Sequence, residues 1–195
     1  MLRTDFLYKY VREGKILDIG NLGMEAQIHD ELIRRYPGSE IHGLDVEDQQ
    51  MYGKSYSHQV VGNAEAMPYE ANTFDTVYLG EVLEHTWQPK VLIGECLRVL
   101  KPGGVVILDT PNVYALSRMF RYALLGQDII LGNPDHKIFF SRAMLDNLFK
   151  KIGFEVIETT SDSKCTIKST TFMLPRVGPI KQMGEHLLGA ARKPV

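Results

Sequence analysis

A strand signal, a helix signal and a second strand signal follow one another over residues 15–45: KILDIG (15–20), MEAQIHDELIRRY (24–36) closed by Pro37 and Gly38, and EIHGLD (40–45). Ile28, Leu32, Ile33 and Tyr36 recur at helical spacing, which gives the helix one apolar stripe to lay on a sheet. A strand–helix–strand unit of this length pairs its strands in parallel, and parallel sheets need helices on both faces. The expected fold class is therefore α/β. Further strands read at HQVVG (58–62) and TFDTVYLG (73–80), a helix at 89–100 with Val91, Leu92, Cys96, Val99 and Leu100 inward, and a nearly unbroken apolar strand at VVILDT (105–110). Ser141 caps a helix over 142–151 with Met144, Leu145, Leu148 and Phe149 inward, followed by strands at 154–160 and near 166–174. The tail from Pro175 reads as a short amphipathic helix weakened by Gly178, Pro179, Gly184 and Gly189.

A chain of 195 residues can bury a full core without metal or disulfide support. The expectation is a single domain, 1–195, with a helical excursion at 113–135 and a tail at 175–195. Lys and Arg number 22 against 24 Asp and Glu, a formal charge of −2 that gives no drive towards phosphate backbones and argues against DNA and RNA partners. Cys96 and Cys165 have neither metal-ligand spacing nor a disulfide framework. The first residues lack the apolar core of a signal peptide, and no apolar run reaches membrane-spanning length. A cytoplasmic protein with reduced thiols is expected.

In open α/β sheets ligands bind beyond the carboxyl ends of the strands. The first strand ends in Asp18-Ile19-Gly20-Asn21-Leu22-Gly23, where glycines permit a tight turn and close backbone approach to a ligand. Gly20-x-x-Gly23 does not supply the Gly-x-Gly-x-x-Gly that NAD requires. The second strand ends in Asp45, an acceptor for two vicinal ribose hydroxyls, and the third leads into GNAEAMP (62–68), where a polar side chain followed by a small residue suits the edge and face of adenine. After the fourth strand, Glu81, Glu84 and His85 at i, i+3 and i+4 share one face of an incipient helix. Two carboxylates and an imidazole suit a divalent metal, magnesium or manganese; equally they suit a helix cap and a general base, for which His85 is the first choice and His136 the second.

In this order ILDIG (16–20), GLD (43–45), GNAEAMP (62–68), FDTVYLGEVLEH (74–85) and RVLKPGGVVILDTPN (98–112) resemble the class I S-adenosylmethionine-dependent methyltransferases of the type-11 group, over residues 14–160. The resemblance implies a Rossmann-like, seven-stranded, mostly parallel sheet with an antiparallel last strand, and S-adenosylmethionine as cofactor. It places the cofactor against Asp18, Gly20, Asn21 and Gly23, then Asp45 and Val46, then Asn63, Ala64 and Glu65, and Gly80. The glycine loop departs from the family's Asp-x-Gly-x-Gly-x-Gly at Asn21 and Leu22, and Asn63 stands where the family often has Asp.

Glu81-x-x-Glu84-His85 with the later Asp135-His136-Lys137 also resembles metal-dependent small-RNA 2′-O-methyltransferases, which implies a cation, magnesium or manganese, on Glu81, Glu84, His85 and His136. The first half of that pattern is similar to ubiquinone-biosynthesis O-methyltransferases. Type-11 proteins without metal carry the same Glu-His pair, where it caps the helix or acts as base, so both readings stand, with His85, His136 and Glu81 as catalytic candidates. The expected reaction is methylation of a hydroxyl on a sugar or related small-molecule or glycan acceptor, a choice favoured by a looser likeness to methyltransferases of surface-glycan synthesis. Segment 113–135, with Tyr114, Phe120 and Tyr122, either walls the acceptor site or forms a homodimer contact. Methylation of carbon or nitrogen, and a non-catalytic relative that has lost the cofactor, are the alternatives.

Overall fold

The computed structural model describes residues 2–22, 26–126, 133–167, 170–175 and 177–195. Among the described residues the chain runs α1 (Arg3–Tyr10), β1 (Lys15–Ile19), α2 (Ala26–Arg35), β2 (Glu40–Asp45), β3 (Gln59–Val61), β4 (Phe74–Gly80), α3 (Pro89–Val99), β5 (Leu100–Pro111), α4 (Leu116–Leu125), α5 (Arg142–Ile152), β6 (Glu155–Ser161), β7 (Lys164–Ile167), β8 (Thr170–Met173) and β9 (His186–Arg192). Seven strands form one sheet in the order β3-β2-β1-β4-β5-β9-β6. The first five of these pair in parallel, and β9 runs antiparallel to both its neighbours. This is the doubly wound α/β sheet with an antiparallel last strand that the motif order implies.

Helices cover both faces because the central strands are apolar on both. On one face Leu92, Ile93, Cys96 and Val99 of α3 and Leu145, Leu148 and Phe149 of α5 pack on Leu17, Val77, Leu79, Val106 and Leu108. On the other, Phe6 and Leu7 of α1 and Ile28 and Leu32 of α2 pack on Ile16, Ile41, Tyr78, Ile107 and Leu188. Each such fully buried side chain contributes about 1.5–3 kcal/mol. Ile33, Val91 and Met144, expected inward, are exposed; in α2 the buried stripe takes in His29 instead, whose Nδ1 lies 3.0 Å from Asp18 Oδ2. Ser141 caps α5 as expected, its Oγ accepting from the Met144 N–H at 3.3 Å.

Two expectations for the last third need correction. The strand signal near 166–174 belongs to β7 and β8, a separate hairpin, and the tail expected to be helical supplies β9. The hairpin's Thr170–Met173 is exposed throughout, as a strand inside the main sheet cannot be. In β9 Leu187–Ala191 are buried without a break, the pattern of a strand covered on both sides. Gly189, which counts against a helix, fits here because a Cβ on it would stand 3.0 Å from Phe149 Cε2 and 3.1 Å from Leu145 Cδ2. Within 113–135, α4 exposes Met119, Phe120, Tyr122 and Leu124, while Ile129–Leu131 lie outside the described residues. No described helix is long and apolar enough to cross a membrane.

Candidate active site

The carboxyl ends of β1, β2 and β4 open into a cavity of about 440 Å³, within the ~300–1,000 Å³ usual for small-molecule sites. Of the residues singled out for a cofactor, Gly20, Asp45, Val46, Asn63, Ala64, Glu65 and Gly80 line it. Gly20 has φ +72, and a Cβ there would collide with Val82 Cγ2 at 2.4 Å, so only glycine keeps this wall in place. Leu22 also lines the cavity; its N–H donates to Asp45 Oδ2 at 3.1 Å, while Asp45 Oδ1 accepts from Glu47 N–H at 3.1 Å. The β1 and β2 turns are thus tied together, and each Asp45 oxygen keeps a further acceptor position. Asn63 Oδ1 accepts from the Glu65 N–H at 2.8 Å, and the Glu65 carboxylate is engaged by Thr86 and Gln88.

Asp18 and Asn21 are buried and are not among the residues that line the cavity. Asn21 exchanges two hydrogen bonds with Gln59, at 2.8 and 3.0 Å, bridging β1 to β3. That bridge crosses Gly43, where a Cβ would stand 2.1 Å from Gln59 Oε1 and 2.4 Å from Asn21 Nδ2. Gly23 lies outside the described residues.

The residues after β4 do not share one helical face. Glu81 takes a left-handed backbone, φ +54, and a 3₁₀ turn spans Leu83–His85. Glu81 lines the cavity but is held from behind: its Oε1 lies 3.0 Å from His186 Nε2 and 3.5 Å from Arg3 Nη1. Burial alone would raise its pKa, but these two cations outweigh it and hold the carboxyl below its ordinary value. His186 Nδ1 lies 3.0 Å from Asp162 Oδ2. Burial works against its charge, yet Asp162 and Glu81 push its pKa up to about 10, so the ring is an imidazolium.

Glu84 is fully buried; its Oε2 accepts from Thr110 Oγ1 at 2.9 Å and its Oε1 has no hydrogen-bond partner. Burial, reinforced by the neighbouring Glu81, raises its pKa to about 8. His85 and His136 face each other edge-on across 4.9 Å at the cavity wall, and Asn133 Nδ2 meets His136 Nε2 at 3.1 Å. Burial, then His85, holds the His136 pKa below the ordinary imidazole value. One ligand atom from each of Glu84, His85 and His136 lies within 4.8 Å of the others. The structure brings these three together and turns Glu81 towards the His186–Arg3 pair. Sequence reasoning missed His186 and Arg3, which lie 105 residues after and 78 residues before Glu81 in the chain; the one available signal was a histidine opening the apolar run HLLGAA (186–191).

A family model described as "Methyltransferase domain" matches residues 17–108. A Mycolicibacterium smegmatis protein named "Probable S-adenosylmethionine-dependent methyltransferase" is 37% identical over 98 residues, 50% of this chain and 35% of the relative. The ubiquinone biosynthesis O-methyltransferase of Psychrobacter arcticus is 28% identical over 156 residues, 72% of this chain and 58% of the relative. The chain therefore spans about a third to three fifths of the length of these curated relatives. Among solved structures, a SAM-dependent methyltransferase from Archaeoglobus fulgidus shares the fold with TM-score 0.69 at 18% identity, covering 97% of this chain and 90% of the other. With the glycine turn, the Asp45 acid and the strand order all in place, residues 17–108 of the chain are similar to the type-11 group of the class I S-adenosylmethionine-dependent methyltransferases.

Proposed function

We propose that the protein transfers the methyl group of S-adenosylmethionine to a hydroxyl oxygen of a small-molecule or glycan acceptor. The observation that carries the proposal is the cavity at the ends of β1, β2 and β4, which gathers Gly20, Asp45, Ala64, Glu81, His85 and His136 onto one lining. The lining fits the cofactor: Asp45 keeps acceptor positions for two ribose hydroxyls, Ala64 and Leu92 offer an apolar seat for a base, and Gly20 leaves room that a Cβ would take. Glu81, kept ionised by Arg3 and His186, presents negative charge to a cationic ligand. Bound there, the cofactor supplies an electrophilic methyl on sulfur.

The chain's own contribution is to align the acceptor and take its proton. His85, exposed at the cavity wall, is assigned the proton, with His136 beside it as orienting partner. Glu84 carries its proton at neutral pH and keeps negative charge away from the rings. Relatives named ubiquinone biosynthesis O-methyltransferase support an oxygen acceptor, and the exposed Tyr114, Phe120 and Tyr122 suit a sugar or aromatic ring; these aromatics serve equally for a homodimer contact. The test is methyl transfer to phenolic and sugar hydroxyls. His85→Gln should lower kcat by about 10²–10⁴ with cofactor affinity unchanged; an unchanged kcat removes His85 as base.

A second reading, a divalent cation on Glu84, His85 and His136, is supported by the unpartnered Glu84 Oε1 and the 4.8 Å cluster. These donors fit magnesium or manganese less well than an all-oxygen set would. A cation there would lower the pKa of an acceptor hydroxyl. Activity retained in chelator, with no metal found by elemental analysis, rules this reading out.

A further inference from the structure

A second group of metal-ligating side chains lies away from the cofactor cavity, where β2 begins. Glu40 opens β2 and His42 follows two residues later, so strand alternation sends both to the same side of the sheet. His58 directly precedes β3, and the Gly43 N–H donates to its carbonyl at 3.0 Å, which sets its side chain beside His42. The two imidazoles stack at 4.7 Å with 27° between planes. His42 Nε2 lies 2.6 Å from Glu40 Oε1, and one ligand atom from each of the three residues lies within 4.8 Å of the others.

We infer that Glu40, His42 and His58 form a binding site for a divalent transition-metal ion of the zinc, cobalt or nickel class, separate from the methyl-transfer site. Two imidazoles and one carboxylate select these ions and not magnesium or calcium, which favour oxygen donors throughout. Bonds of about 2.0–2.1 Å to one ion set ligand atoms roughly 3.3 Å apart, so on binding the 2.6 Å Glu40–His42 contact opens and the exposed His58 ring turns out of its stack to present a nitrogen. The His42 ring is held in place: it packs edge-on against Phe74 at 5.2 Å and Tyr69 at 6.0 Å.

Glu40 divides its oxygens. Oε2 lies 3.3 Å from Lys15 Nζ, while Oε1 faces His42; a cation on the outer oxygen of a ligating carboxylate is the support such sites use to fix ligand direction. His58 is exposed, so the remaining coordination positions face water. The consequence is mechanical. β3 is a three-residue edge strand that runs into Gly62–Glu65 at the cavity, and an ion shared by β2 and the start of β3 pins that edge.

The experiment is zinc titration calorimetry on chelator-treated full chain, with cobalt(II) absorption as a second readout. The wild type should bind zinc at this site and show the visible bands of a nitrogen- and oxygen-bound cobalt ion. His58→Gln, at an exposed position, should weaken zinc binding about tenfold to a hundredfold or more and remove those bands. Glu40→Gln should weaken it as well, whereas His136→Gln, which dismantles the other cluster, should leave this binding intact. Zinc affinity and cobalt bands unchanged in His58→Gln, or lost only in His136→Gln, would overturn the assignment.

Discussion

His186 owes its charge to Asp162 and Glu81, and its contribution to stability follows from that. Its folded pKa of about 10 stands above the ordinary 6.5, so the stabilisation is fully present below pH 6.5 and disappears as pH rises through 10. His186→Gln should lower stability most at pH 6, and the gap to wild type should narrow by at most about 1.4 kcal/mol per pH unit and close near pH 10; urea unfolding at pH 6, 8 and 10 measures it. A gap independent of pH would show that packing, not charge, is what the substitution removes. Glu84 behaves in the same sense, in a lower pH window. Its carboxyl is raised from 4.5 to about 8, so the folded state holds a proton that the unfolded state releases, and stability falls as pH climbs between those values. Glu84→Gln should flatten that part of the curve, and an unaltered slope would contradict the buried, protonated acid.

Among the elements, β9 shows why part of this fold is hard to read. The order of β1 to β5 is legible because α2 and α3 each keep a stripe and β1 to β4 each end at a Gly or an Asp. β9 hides because Gly189, Ala190 and Ala191, small to let α1 and α5 close on the sheet, resemble loop or weak-helix composition. Gly189→Val should destabilise by about 1–3 kcal/mol through overpacking against Phe149 and Leu145, read from the denaturation midpoint; a neutral result would mean that α5 can retreat. The same blindness touched the site. Gly20, Asp45 and Ala64 were legible as residues at strand ends, and His85 and His136 as a pair. Asp18 and Asn21 are buried and hydrogen-bond to His29 and Gln59, and the hold on Glu81 by Arg3 and His186 depends on long-range contacts that no local spacing encodes.

For the molecule as a whole, the sheet order puts the strand-end turns of β1, β2 and β4 and the ionised Glu81 around one cavity, with α1 and β9 reaching in from opposite ends of the chain to hold Glu81. The account rests on that cavity taking S-adenosylmethionine although Leu22 stands where the family carries glycine. Titration calorimetry with S-adenosylmethionine on the wild type and on Asp45→Ala tests it most directly. One molecule should bind per chain, with affinity falling about tenfold to a hundredfold in the variant, as expected for loss of a charged hydrogen-bond acceptor worth ~1.5–3 kcal/mol. No heat of binding to the wild type, or equal affinity in both proteins, would contradict it.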